Sequence, residues 1–405
     1  MTSQPQPLNQ KTVRVGNAWR VLEYVRMSGS TSRAKVAAET GLTITTVHRL
    51  VADLQRRSLL GNGTTAEYGG VGRPAETFEF NAGVAHVVGI DVGNETTHAG
   101  LANLDGRIIA DDQRPTAEIA ADLPGGLEDV VERLQRSAGV RSGSLVALSV
   151  GVPGVIDLAG GVIVRASLHR PWDGLPLGSQ LRRSLGVEIV VAQDDHLTAL
   201  AELRRGACVG LRHALVVNVG KGIGAGIIVD GQPYYGSHAA AGRLGWFPMP
   251  LGADAASRTL EGISIDDTTD PTVAPASQLV TADGLIADYR RLGGRVDATG
   301  AIDVFRADEA GDPAAARAID LFADRLGWCI GMAVALMDPQ RVVIGGGISG
   351  SFDRLAPRLT ERLSRVVLLP PSVVPSQLGI EAGVIGAIEA AMERADAWLL
   401  DAIAR

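Results

Sequence analysis

Apolar positions follow two different rhythms along the chain. In "NAWRVLEYVRMSGSTSRAKVAAETGLTITTVHRLVADLQRRSLL" they recur three and four residues apart, which predicts helices. The first spans about Ala18 to Met27. Ser32 caps a second that runs to Glu39, and Gly41 stops it. Thr43 caps a third, in which Val47, Leu50, Val51 and Leu54 form one apolar stripe. Thr45, Thr46, His48 and Arg49 occupy the opposite face. A short helix, a glycine turn and a second capped helix make a helix-turn-helix, whose second helix reads base edges in the major groove. Thr43, Thr45, Thr46, His48 and Arg49 are therefore the candidate DNA contacts. The next stretch, "GNGTTAEYGGVGRPAETFEF", reads as a β-hairpin wing. Arg73, between Gly72 and Pro74, has the setting of an arginine that enters a narrow minor groove. A three-helix protein-docking module and a solvated Arg-Pro linker are the alternatives.

From about Ala85 the rhythm changes to short apolar runs alternating with helices, which predicts an α/β body. "HVVGIDVGNETTHAGLANLDGRII" is echoed by "ALVVNVGKGIGAGIIVDGQPYYG", from Ala214 to Gly236. Each copy has a strand, a Gly-rich turn, a second strand and an Asp-Gly turn. A third glycine cluster, "DPQRVVIGGGISG", starts at Asp338, with a helix expected near Ser351. Two facing lobes with such turns suit a nucleotide, whose phosphates lie against exposed backbone N–H groups. The candidate loop residues are Asp91, Gly93, Gly220, Lys221, Gly222, Gly224 and Gly346. The C-terminal "LGIEAGVIGAIEAAMERADAWLL" predicts an alanine-rich helix from about Val384 that packs back on the first lobe.

Charge sharpens the division. Residues 1–80 carry ten Lys/Arg and six Asp/Glu, a surplus of +4 in a chain whose net charge is −7. A basic head on an acidic body points to a polyanionic partner at one end only. Cys208 and Cys329 lie far apart and form neither a metal pair nor a disulfide framework, which fits a reducing cytoplasm. "MTSQPQPLNQKTVR" lacks the apolar core of a signal peptide, and residues 1–14 read as a disordered tail. No apolar run is long enough to span a membrane.

Taken in order, "GRP", "GIDVG", "GVPGVID", "AQDDHLTALAE", "GKGIGAGIIVDGQPYYG", "AGRLGW" and "DPQRVVIGGGIS" resemble the ROK family of repressors and sugar kinases, specifically its transcriptional regulators. The resemblance covers the whole chain. It implies a winged helix-turn-helix over 15–80, then a two-lobed actin/hexokinase-like (ribonuclease H-like) ATPase fold over 85–405. Lobe one would take about 85–192 plus the helix at about 384–405, and lobe two about 193–383. It also implies a sugar-type effector, operator DNA as partner, and a homodimer or homotetramer at the nucleoid.

Several positions depart from the family's kinase pattern. Asn94 and Glu95 replace the glycine and threonine that follow D-x-G. A carboxylate there faces the phosphates, and two unit charges about 4 Å apart repel by roughly 4 kcal/mol at an effective dielectric of 20. Lys221 replaces a threonine in the second loop; a direct Glu95–Lys221 contact is not the expected arrangement. Asp194 keeps the position of the general base, though Asp194 or Asp195 could equally cap the helix that follows. Gln193 replaces the asparagine that orients the sugar, His196 replaces a later asparagine, and Glu202 reads as structural. In "GRLGW", Arg243 stands for the family's sugar-binding glutamate and Trp246 for its zinc-linked histidine. The cysteines of the zinc loop are absent from "PLGADAASRTLEGISID", so no zinc is expected. Glu261 matches the glutamate that closes that motif.

The candidate effector residues are thus Gln193, Asp194, Arg243, Trp246 and Glu261. Arginine only donates and is cationic, so Arg243 suits a sugar phosphate or sugar acid. Alternatively it closes the pocket by pairing with Asp194 or Glu261. These substitutions favour a DNA-binding regulator of carbohydrate genes, acting as a repressor, with no cofactor. An active ATP-dependent sugar kinase with a DNA-binding head is the alternative, and a ligand-free adaptor the third reading.

Overall fold

The computed structural model describes residues 10–63, 76–167, 169–250 and 273–405. The head contains helices α1 (Gln10–Ser28), α2 (Arg33–Thr40) and α3 (Ile44–Arg56). Its strands are β1 (Thr31–Ser32), β2 (Leu60–Asn62) and β3 (Thr77–Phe80), in the order β1-β3-β2. Ser32 caps α2 by accepting from the Lys35 N–H. Gly41 ends α2 at φ +69°, a left-handed conformation that glycine adopts without steric cost. Thr43 caps α3 by accepting from the Thr46 N–H. Val47, Leu50, Val51 and Leu54 are all buried, as the stripe requires. One expectation is corrected. Helix α1 starts at Gln10, so residues 10–14 are helical rather than tail; Arg14 pairs with buried Asp53 of α3 at 2.6 Å, which anchors that extra turn. β2 and β3 pair antiparallel as a wing. The wing's tip, with Arg73, lies outside the described residues.

Lobe one is a five-stranded sheet of β4 (His86–Val92), β5 (Thr96–Asn103), β6 (Ile108–Pro115), β7 (Leu145–Val152) and, beyond the small hairpin β8 (Gly154–Asp157) and β9 (Val162–Ala166), β10 (Glu188–Gln193). α4 (Leu123–Ala138) and α5 (Leu177–Leu185) belong to this lobe. The strand order is β10-β7-β4-β5-β6. β4 is an almost unbroken apolar run because it sits at the centre, buried on both faces.

α6 (Asp194–Arg205) leads into lobe two, which contains β11 (Ala214–Val219), β12 (Ile223–Val229), β13 (Gln232–Tyr234), β14 (Pro248–Pro250) and β15 (Val273–Pro275). Next come α7 (Ala276–Leu279), α8 (Ala282–Arg291), α9 (Ala301–Glu309) and α10 (Pro313–Met337). β16 (Arg341–Gly345), α11 (Phe352–Val366) and β17 (Ser372–Pro375) complete it. Its sheet runs β13-β12-β11-β16-β17. Each lobe therefore has an antiparallel three-strand meander with two parallel strands added beside its first strand. The sequence echo is a repeated topology.

The last helix, α12 (Ala382–Ala404), lies against β4 and β7 of lobe one, against α6 and against α1 of the head. Its Val384, Ile388, Ala391, Met392, Ala395, Leu399 and Ile403 share one core cluster with Val21, Leu22, Val47 and Leu54 of the head. Arg26 pairs with Asp396 at 2.8 Å and donates to the Leu104 carbonyl, and Arg57 donates to the Ala402 carbonyl. The head is thus joined to the body by apolar packing as well as by chain connection. Where α12 crosses α6, Gly386 lets the backbones touch: a Cβ there would lie 1.8 Å from the Leu197 carbonyl oxygen. No helix among the described residues is long and apolar enough to cross a membrane.

Candidate functional site

A cavity of about 520 Å³ separates the lobes. The ends of β4 and β11 and the start of α6 reach it, because both sheets present the same strand ends and glycine turns to one cleft. All seven candidate loop residues, Asp91, Gly93, Gly220, Lys221, Gly222, Gly224 and Gly346, line it, together with Asp194, Arg243 and Trp246.

Three carboxylates crowd one wall. Burial, with the charge of Asp195, pushes the Asp91 carboxyl up to about 7. Burial likewise raises Asp194 well above the usual range; Asp195 and Asp91 add to the rise, while Arg243 opposes it. Asp195 is itself tied down, accepting from Gln193 Nε2 at 3.1 Å and Asn218 Nδ2 at 2.9 Å. Neither aspartate is the helix cap. Gln193 holds that position without a side-chain cap bond, and both aspartates lie in the first turn, where the helix dipole favours them. Gln193 is also corrected as an effector contact. It is fully buried, does not line the cavity, and orients Asp195 from behind.

Lys221 reaches across the cleft mouth. Its Nζ lies 3.2 Å from Glu95 Oε1 of lobe one and 3.0 Å from Asp283 Oδ1 of α8. The direct Glu95–Lys221 contact, not expected from the sequence, therefore exists. Hydrogen bonds that Lys221 donates to Asp283 and then to Glu95 raise its pKa. Glu95 and Lys221 stand on the glycine loops of the two lobes, and with Asp283 of α8 two carboxylates surround the lysine. They do not fit a triphosphate. Trp246 does not fit a zinc site either, since an indole N–H donates only and has no metal-binding lone pair.

Arg243 stands at the cavity between β13 and β14. Its Nη1 donates to Ser167 Oγ at 3.3 Å, and its Cζ lies 5.8 Å from the Trp246 ring centre. Its Nε and Nη2 are buried without a hydrogen-bond partner. Pairing with Asp194, one of the two ways Arg243 was expected to close the pocket, is not seen; Glu261, the other, lies outside the described residues. His196 is buried, bonded to the Ala241 carbonyl at 3.2 Å and edge-on to Tyr235. Glu202 is structural, accepting from the Ala207 N–H and Ser376 Oγ.

Sequence reasoning missed Asp195 as an anchor, and with it Asn218 and Ser167. The doubled aspartate was a visible signal for the first; a lone asparagine and serine at strand ends give none. In the head, Thr43, Thr45, His48 and Arg49 are exposed along α3, and Thr46 is half-buried with its hydroxyl 2.9 Å from that of Thr43.

Comparison with known proteins agrees with this geometry. The ROK family profile matches residues 87–394, and an IclR helix-turn-helix profile matches residues 15–62. A glucokinase of Halalkalibacterium halodurans is 28% identical over 318 residues, 74% of this chain and 92% of that protein. The xylose repressor of Caldicellulosiruptor bescii is 23% identical over 359 residues, 88% of this chain and 89% of its own. A crystal structure of a ROK family transcriptional regulator, homologous to the E. coli MLC protein, superposes with a TM-score of 0.74 at 21% identity, covering 97% of this chain and 99% of that one. The glucokinase covers about three quarters of this chain, whereas the two regulators cover 88% and 97% of it. The chain belongs to the ROK family, as a transcriptional regulator with a helix-turn-helix head on a sugar-kinase-like body.

Proposed function

We propose that this chain represses carbohydrate genes, holding or releasing its operator according to a sugar or sugar derivative bound between the lobes. The observation that carries the proposal is α12. It packs on α6, whose first residue is Asp194 at the cavity, and its far end shares a core with the DNA-reading head. A ligand that changes lobe closure therefore has a packed route to the head. It shifts the equilibrium only as far as it binds one arrangement better than the other. Names of relatives support a sugar-type effector: one is a xylose repressor, another a glucokinase. A dimer or tetramer fits the reading, with half-sites roughly 34 Å apart or a multiple of that.

The test is fluorescence anisotropy of the full chain on DNA selected from a random-sequence pool, with and without a panel of sugars. Binding should weaken steeply with salt. Arg49→Ala should lower the salt slope by about one if it contacts a phosphate. Absence of any selected sequence would refute the proposal.

Retention of Asp194 favours sugar kinase activity as the second reading. The Glu95–Lys221–Asp283 group argues against it. A coupled assay with ATP and the same sugars decides: turnover that vanishes in Asp194→Asn would establish the kinase.

A further inference from the structure

We infer that the cavity takes an anionic sugar derivative, a polyhydroxylated carboxylate or phosphate, whose charged group docks on the Nε–Nη2 edge of Arg243. The inference rests on the sensor reading above and names the chemistry of its ligand.

Arg243 carries the argument. Its one hydrogen bond among the described residues, to Ser167, uses Nη1 and leaves Nε and Nη2 buried and unpartnered. Those two nitrogens form a single edge of the guanidinium, with parallel N–H bonds spaced for two oxygens of one carboxylate or phosphate. A neutral hydroxyl fills only one of them. No carboxylate among the described residues pairs with this guanidinium, and buried donors left bare are costly. The other cation that lines the cavity among the described residues, Lys221, is already engaged by Glu95 and Asp283.

The opposite demand comes from the acidic wall. Asp194 Oδ1, Asp91 Oδ1 and Asn94 Oδ1 are buried acceptors without partners. Hydroxyls donate to such atoms; an anion does not. Burial, with the charge of Asp195, raises the pKa of both Asp91 and Asp194, which lowers the negative charge an incoming anion would meet. A ligand with hydroxyls along one side and an anionic group at one end satisfies both sets. Because Arg243 belongs to lobe two and already reaches Ser167 of lobe one, a ligand held by its free edge would also bridge the lobes.

Isothermal titration of the full chain tests this. The probes are glucose, xylose and N-acetylglucosamine, their aldonic acids and their terminal phosphate esters. At least one anionic probe should bind at least about tenfold more tightly than its neutral parent. Arg243→Ala should weaken that probe roughly 10- to 150-fold and the neutral parent by much less, with Arg243→Lys between. Circular dichroism melts of both variants check the fold. Preference for acids or for esters separates carboxylate from phosphate as the recognised group. A neutral sugar that binds as tightly as its anions, unaffected by Arg243→Ala, overturns the inference and leaves the sensor reading standing. Selected DNA bound with no probe bound overturns both.

Discussion

Leu399 offers the sharpest test of how the head is attached. It is 1% exposed and sits in the cluster that joins α12 to α1 and α3, whereas its neighbour Leu400 is 39% exposed. Leu399→Ala deletes three buried carbons, about 2.4 kcal/mol of transfer free energy at about 0.8 kcal/mol per CH₂. The cavity left behind brings the expected loss to about 3–5 kcal/mol, since helix ends tied by Arg26 and Arg57 restrict collapse of the site. Leu400→Ala should change stability by less than about 0.5 kcal/mol. Urea unfolding followed by tryptophan fluorescence reads the difference, because Trp19 and Trp398 pack against this cluster while Trp172 is buried in lobe one. The expected result is loss felt by head and body together. Equal effects of the two substitutions, or a loss confined to a separate early transition of the head, would refute the shared core.

Gly386→Ala places a methyl against the Leu197 backbone, so α6 and α12 must separate; about 1–3 kcal/mol of stability should be lost in chemical denaturation, together with any effector response of DNA binding. Asp91 gives a pH signature. Its folded pKa is raised, so between 3.8 and about 7 the folded state holds the extra proton, and stability falls as pH rises through that window. The gap is worth on the order of 4 kcal/mol; Asp91→Asn should flatten the profile measured by urea unfolding from pH 4 to 8. Lys221→Ala should open the cleft mouth with a stability change of only about 1 kcal/mol or less, because Lys221 is 38% exposed and its partners more so. Small-angle scattering should show the variant more open than the wild type in 0.1 M salt, and the difference should shrink in 1 M salt as the Debye length falls from about 10 Å to about 3 Å.

The head was legible because its apolar stripe and caps are local: Ser32, Gly41 and Thr43 act within four residues of themselves. The repeated lobes were legible through their glycine turns and their unbroken central strands. In lobe two the helix after Ser351 was legible from its glycine cluster, but α10 was not, since it is buried around much of its surface and so loses the polar face that marks a surface helix. In the site, the resemblance to the family's motifs put Asp194, Arg243 and Trp246 at the cavity, where they lie. Sequence could not show that Gln193 turns inward, nor that Lys221 meets Glu95. Both depend on how two distant segments face each other, which no local pattern encodes.

The placement of α12 has a consequence for synthesis. A ribosome makes the head long before the helix that packs on it, so the apolar face of α1 that meets α12 waits uncovered while more than three hundred residues are added. The central strand β4 waits for the same helix. The nascent chain must therefore carry an uncovered apolar side of the head until α12 emerges, and a chain stopped short of residue 382 would release both head and first lobe uncovered, as substrates for aggregation or proteolysis.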